Sequence, residues 1–217
     1  MRRAALFLLL AGCLSTPPRP GDGTPVDPTV CSTPSIKDDF EGPSPNPCGQ
    51  GFEDGNATSM IERRGVLRMR PAANMINDAS CTWNGFSFAK GTFVELLRPL
   101  DTGGSYTILQ VEMTGGAVGI SVLDEAGPLL QMSEPGFDSP IASIPYDRSE
   151  MRWLRLRPSS GRIAGEYSKD GEGWIELATT SVTEPPTENV EVSLNAGTYN
   201  PIAMPGVAEF DNFNVCP

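Results

Sequence analysis

Residues 151–178 read MRWLRLRPSSGRIAGEYSKDGEGWIELA, and their pattern decides the architecture. Leu154 and Leu156 alternate with Arg155 and Arg157, which puts apolar and charged side chains on opposite faces of an extended strand. Ser159-Ser160-Gly161 supplies a turn and Arg162 to Tyr167 runs back. Lys169-Asp170-Gly171-Glu172-Gly173 then turns again, and Trp174 to Ala178 completes a three-stranded meander. Asp-Gly between two such runs is a strong hairpin signal, because these residues tolerate the positive φ angles that tight turns require.

The same pattern extends in both directions. Gly65 to Arg70 sets Leu67 and Met69 on one face and Arg68 and Arg70 on the other. Tyr106 to Met113 and Ala117 to Leu123 read as strands joined by Thr114-Gly115-Gly116, and Leu129 to Met132 as a shorter one. Asn189 to Asn195 and Ala208 to Val215 are the closing strands. Beyond the N-terminal segment no window of about 12 residues carries a helical period. With 21 Pro and 23 Gly spread as punctuation, the chain is expected to be all-β, an antiparallel jelly-roll β-sandwich over residues 36–217.

The meander Trp-Leu-Arg-Leu-Arg, Gly-Arg-Ile and Glu-Tyr-Ser-Lys-Asp-Gly-Glu-Gly-Trp-Ile-Glu-Leu resembles a recurring stretch of the concanavalin A-like lectin/glucanase superfamily. Asp38-Asp39-Phe40-Glu41 and Phe210-Asp211-Asn212-Phe213-Asn214-Val215 resemble that superfamily's first and last strands. The resemblance covers most of residues 36–217. It implies a jelly roll and leaves function open among lectins, glycan-binding modules, glycosidases and adhesive domains. It also implies a structural Ca²⁺, for which Asp38, Asp39, Glu41 and Asp211 are the candidate ligands if the first and last strands are adjacent.

The N-terminus has a separate role. Arg2 and Arg3 precede an apolar run from Ala4 to Ala11, a signal-peptide layout too short to span a bilayer. Leu10-Ala11-Gly12-Cys13 resembles the bacterial lipobox, which implies cleavage after residue 12 and lipidation of Cys13. Acyl chains there would anchor the chain in membrane lipid, since each buried CH₂ contributes about 0.8 kcal/mol. Residues 13–35 are rich in Pro, Gly, Thr, Ser and Asp and read as a disordered, flexible linker. The expected location is the bacterial cell envelope, and Leu14 leans towards the outer membrane.

Sixteen Lys and Arg against 27 Asp and Glu give a net charge of −11. That excludes nucleic acid as a partner, because phosphate binding needs a basic footprint. Beyond Cys13 four cysteines remain, and an even number in an exported chain implies two disulfides. Among three pairings, Cys31 with Cys216 and Cys48 with Cys81 are preferred. The first joins the domain's beginning to its end, and the second ties a loop to a nearby strand.

Chemistry is sparse. The chain has no histidine, which removes Ser-His-Asp and Cys-His catalysis. The superfamily's catalytic Glu-x-Asp-x-x-Glu is matched only by Glu209-Phe210-Asp211, with Asn214 where the second glutamate belongs. The chain is therefore expected to bind and not to catalyse. The first candidate ligand is a carbohydrate. A protein-contacting adhesive or structural domain is the alternative, and a glycoside hydrolase the second. The candidate surface is an arginine-lined face bearing Arg68, Arg70, Arg155 and Arg157 with Trp153 as platform. Guanidinium groups pair with carboxylate or phosphate in bidentate fashion, so the expected ligand there is an anionic glycan. Cross-strand glutamates such as Glu166 and Glu176 would balance that charge if no ligand does.

Overall fold

A computed structural model describes residues 36–41, 59–62, 64–114, 116–134, 140–182 and 188–217. The expected signal peptide (residues 1–12), the expected lipidation site Cys13, the expected linker, Cys31 and Cys48 lie outside the described residues.

The described chain is all-β and forms two antiparallel sheets. Its strands are β1 (Ser59–Glu62), β2 (Leu67–Arg70), β3 (Asp78–Phe86), β4 (Thr92–Arg98), β5 (Ser105–Met113), β6 (Gly116–Asp124) and β7 (Pro128–Ser133). They continue with β8 (Pro140–Pro145), β9 (Trp153–Ser159), β10 (Arg162–Ser168), β11 (Trp174–Ser181), β12 (Val190–Thr198) and β13 (Ala208–Asp211). One sheet has the order β1-β2-β13-β4-β9-β10-β11, the other β3-β12-β5-β6-β7-β8. This is the jelly-roll sandwich expected from the alternation.

The expected meander is β9, β10 and β11, with Leu154 and Leu156 buried in the core as parity requires. Four strands went unread in the sequence for physical reasons, the first of them, β1, because it has only 4 residues and so shows no period. β4 is buried on both faces through most of its length, so its residues form a run without alternation. In β3 three successive residues, Cys81, Thr82 and Trp83, are buried and break the period. β8 begins and ends with proline, which suits an edge strand and disguises it.

The inner faces meet in one core. Phe40, Leu67, Met69, Phe86, Leu96, Leu109, Ile120, Phe210 and Phe213 are fully buried there, each contributing about 1.5–3 kcal/mol. Trp83 stacks on Phe213 with ring centroids 4.0 Å apart and 8° between planes. The beginning and the end of the domain are joined. Asp38 bridges Phe213 antiparallel, and Asn214 Nδ2 donates to the Ile36 carbonyl at 3.2 Å.

Candidate functional site

The two outer faces differ in kind. On the six-stranded sheet, alternation sends Val190, Val192, Leu194 and Ala196 of β12 inward and Glu191, Ser193 and Asn195 outward. In β5 Leu109 and Val111 point inward, while Tyr106, Ile108, Gln110 and Glu112 point outward. Register aligns these outward residues into cross-strand rows. One row is Thr82, Ser193, Gln110, Gly119 and Ser133; the next is Ser80, Asn195, Ile108, Ser121 and Gln131. Because most of these side chains are short, the face is hollow, and an open cleft of about 490 Å³ lies over it.

The middle of the cleft is uncharged and mixes hydroxyl and amide side chains with Ile108 and Leu123. Asn195 Nδ2 donates to Ser193 Oγ at 2.9 Å and Gln131 Nε2 to Ser143 Oγ at 3.1 Å, so the amides are held in position. At one end stand Tyr106 and Tyr199, ring centroids 5.0 Å apart, beside Ile76, which is 64 % exposed. Burial raises the pKa of both phenols; Asp78 and then Tyr199 add to the shift at Tyr106, and Tyr199 reaches about 12 with Glu125 adding. Both remain O–H donors at neutral pH. At the other end Glu112 and Glu191 are direct register partners.

The arginine face is built on the opposite sheet. β2 and β9 do share that sheet, and Arg68, Arg155 and Arg157 point away from the core residues Leu67, Leu154 and Leu156, so the parity reading holds. The face is closed by the chain itself, however. Arg155 is only 5 % exposed: its Nε donates to Glu166 Oε2 at 2.5 Å, and its guanidinium lies 4.1 Å from the centroid of the Trp174 ring. Arg157 Nη2 donates to Glu166 Oε1 at 2.9 Å, and Arg68 Nε to Glu209 Oε1 at 2.8 Å. Trp153 is 4 % exposed, tilted on Phe93 and lying against Gly171. As the expected platform for a ligand it is corrected by that burial. Arg70 is exposed at the C-terminal end of β2.

The acidic ends do meet. Burial is the main cause that raises the pKa of Asp211, followed by repulsion from Glu95, Glu41 and Asp39; Asp38 is raised by burial and by Asp39. Yet Asp38 Oδ1 accepts from the Phe40 N–H, and Asp39 Oδ1 from the Glu41 N–H. Among the described residues no three acidic, cysteine or histidine side chains converge as a metal shell. The described geometry does not fit the calcium that the resemblance implies.

Glu209 and Asp211, the partial catalytic match, lie on β13 in the seven-stranded sheet, across the sandwich from the cleft. Asn214 has a structural role. It is 1 % exposed with φ of 55°, and its Oδ1 accepts from Thr92 Oγ1 at 3.2 Å and from the Phe93 N–H at 2.9 Å. Cys81 is buried in β3 and Cys216 half-buried past β13; their expected partners, Cys48 and Cys31, lie outside the described residues.

Similarity to solved structures agrees with this layout. The GH43 BlXynB protein from Bacillus licheniformis superposes with a TM-score of 0.57 at 16 % identity over 82 % of this chain, which spans only 38 % of that protein. A prokaryotic β-1,3-1,4-glucanase (lichenase) derived from a mouse hindgut metagenome gives 0.52 at 11 % identity, covering 82 % of this chain and 97 % of the glucanase. The fold these proteins share with the chain is a jelly-roll β-sandwich. The CBM2 module of the Lactobacillus casei BL23 phage J-1 evolved Dit gives 0.52 at 12 % identity over 85 % of this chain and 97 % of the module. No protein-family model matches the sequence, and neither does any curated protein sequence.

Tyr106 and Tyr199 are not among the candidate site residues expected from the sequence. The signal that could have found them is the outward row on β12 and β5: polar residues on a strand whose other face is wholly apolar mark a solvent face, and adjacent rows of short ones mark a hollow.

Proposed function

We propose that the protein is an exported, lipid-anchored carbohydrate-binding protein whose ligand lies in the cleft of the six-stranded sheet. The observation that carries this is the cleft itself. An uncharged middle with fixed amides suits the hydroxyls of a sugar chain, Ile108 and Leu123 among them suit its C–H faces, and the paired tyrosines beside Ile76 offer an apolar platform to a pyranose face. Two of the similar structures are a β-1,3-1,4-glucanase and a CBM2 module, which supports a sugar as ligand. Binding without catalysis is favoured because the Glu209/Asp211 pair is remote from the cleft and Asn214 is built into the strand junction.

A glycan array probed with the purified protein tests the reading. Specific retention of an oligosaccharide by the wild type, weakened roughly tenfold in Tyr199→Ala, supports it; an empty array refutes it. Glycoside hydrolysis has one observation in its favour. Glu112 and Glu191 are directly opposed in register, with Cβ atoms about 4.5–5.5 Å apart, which lets their carboxyls reach the separation of about 5–5.5 Å that retaining glycosidases use. Release of reducing ends from a bound glycan by the wild type, abolished in Glu112→Gln, would select that reading.

Anchoring belongs to the same proposal. Incorporation of labelled palmitate that is lost in Cys13→Ser, together with release of the protein into the soluble fraction, supports the lipid anchor. An unlabelled wild type overturns it.

A further inference from the structure

The charge of the cleft names the class of glycan it takes. Three carboxylates line it, Asp78 beside the tyrosines and Glu112 and Glu191 at the far end, and among the described lining residues there is no lysine or arginine. The basic residues of the domain are concentrated on the opposite sheet, where Arg68, Arg155 and Arg157 are matched to Glu209 and Glu166. Charge is thus sorted by face, negative at both ends of the cleft and balanced on the back.

We infer that the cleft selects uncharged sugar chains and rejects uronic acids and sulfated sugars, with Glu112 as a specificity-determining residue. The inference rests on the carbohydrate-binding reading above. The physical ground is repulsion in a hollow. Glu112 lies six residues along β5 from Tyr106, roughly 20 Å at about 3.3–3.4 Å per residue, so a sugar long enough to reach from Tyr199 to Glu112 passes Asp78 at one end and Glu112 and Glu191 at the other. In such a hollow part of the water that would screen like charges is displaced. Among the described lining residues, Ser, Thr, Asn and Gln can donate to a carboxylate but bring no positive charge. The position of Glu112 suits the role. It is exposed at the end of β5, where no described ion pair ties it down, and it faces the end of the cleft away from the aromatic platform. A sugar seated on the tyrosines therefore meets Glu112 only if it extends through the cleft, so discrimination should grow with chain length.

The test compares the neutral, uronate-containing and sulfated glycans of one array, followed by calorimetry on the best neutral hit and its uronate-bearing analogue of equal length. The expected result is a neutral hit with the anionic analogue at least about tenfold weaker at low salt. That gap should narrow as salt is raised to about 1 M, where the Debye length falls to about 3 Å. In Glu112→Lys the ratio of the two affinities should shift by about tenfold or more towards the anionic analogue. Equal binding of neutral and anionic glycans by the wild type, lost in Tyr199→Ala, overturns the selectivity but keeps the cleft. An unchanged ratio in Glu112→Lys overturns the role of Glu112. A wild type that binds no glycan overturns the carbohydrate reading itself.

Discussion

Glu166 is a buried carboxylate shared by two guanidinium groups, with Trp174 closing over one of them. Such an arrangement is unforgiving to the loss of one partner, because Arg155 would then be left charged and desolvated. Glu166→Gln is expected to destabilise the fold by about 3–5 kcal/mol in urea unfolding, whereas Glu176→Gln, on an exposed residue of the same sheet, should change little. Asn214 makes a comparable case. Alanine there removes the acceptor for the buried Phe93 N–H and takes a left-handed backbone that asparagine tolerates better. A loss of about 2–3 kcal/mol is expected for Asn214→Ala. These two residues also show what could be read in advance. Glu166 was visible as a cross-strand counter-charge, since a strand with two arginines on one face needs one. The burial of Arg155 was not, because Trp174 reaches it only through the turn that folds β11 back beside β10.

That turn shows how elements settle what parity leaves open. Asp170 Oδ1 accepts from the N–H groups of Glu172 and Gly173 at 2.9 and 3.0 Å, which lowers the pKa of its carboxyl. Gly171, with φ of 79°, lies so close to Trp153 and Pro217 that a methyl group on it would stand about 3 Å from both. Gly171→Ala should therefore destabilise by about 2 kcal/mol or more in thermal or urea unfolding. An accompanying rise in Trp153 fluorescence quenching by acrylamide would report that its cover has lifted. Alternation assigned Trp153 to an outer face, correctly, and could not say that a glycine turn and the chain's last residues lie over it. The same limit hid the cleft. Four strands of the six-stranded sheet, β5, β6, β7 and β12, were readable, but a hollow exists only once β12 is known to sit between β3 and β5. That pairing joins segments about a hundred residues apart, and no local pattern specifies it.

At the scale of the molecule the acidic junction of the two ends makes one contribution to pH behaviour. Asp211, facing Glu95, Glu41 and Asp39, has a folded-state pKa above its unfolded value, so the folded chain holds that proton more tightly. Its contribution is favourable below the unfolded pKa and is lost as pH rises through the folded one. Asp211→Asn is thus expected to raise the melting temperature at pH 7 and to give no gain near pH 3.5. If a calcium ion instead used this carboxylate, the variant would melt lower at pH 7 and a chelator would lower the wild type. The two outcomes are opposite in sign. Arg152, paired with Glu95, moderates the repulsion and does not abolish it.

The junction has a mechanical side as well. Asp38 and Phe213 form an isolated bridge, Asn214 holds the Ile36 carbonyl, and the buried Phe40 side chain follows directly. Any pull arriving along the polypeptide before Ile36 is borne by this small latch before it reaches either sheet. The strand registers put the latch and the tyrosine end of the cleft at opposite ends of the sandwich. A captive held at the aromatic end and an anchor at the other would therefore load the domain along its length. The latch is then the weak link in tension, and a Cys31–Cys216 bond would be the rivet that bypasses it.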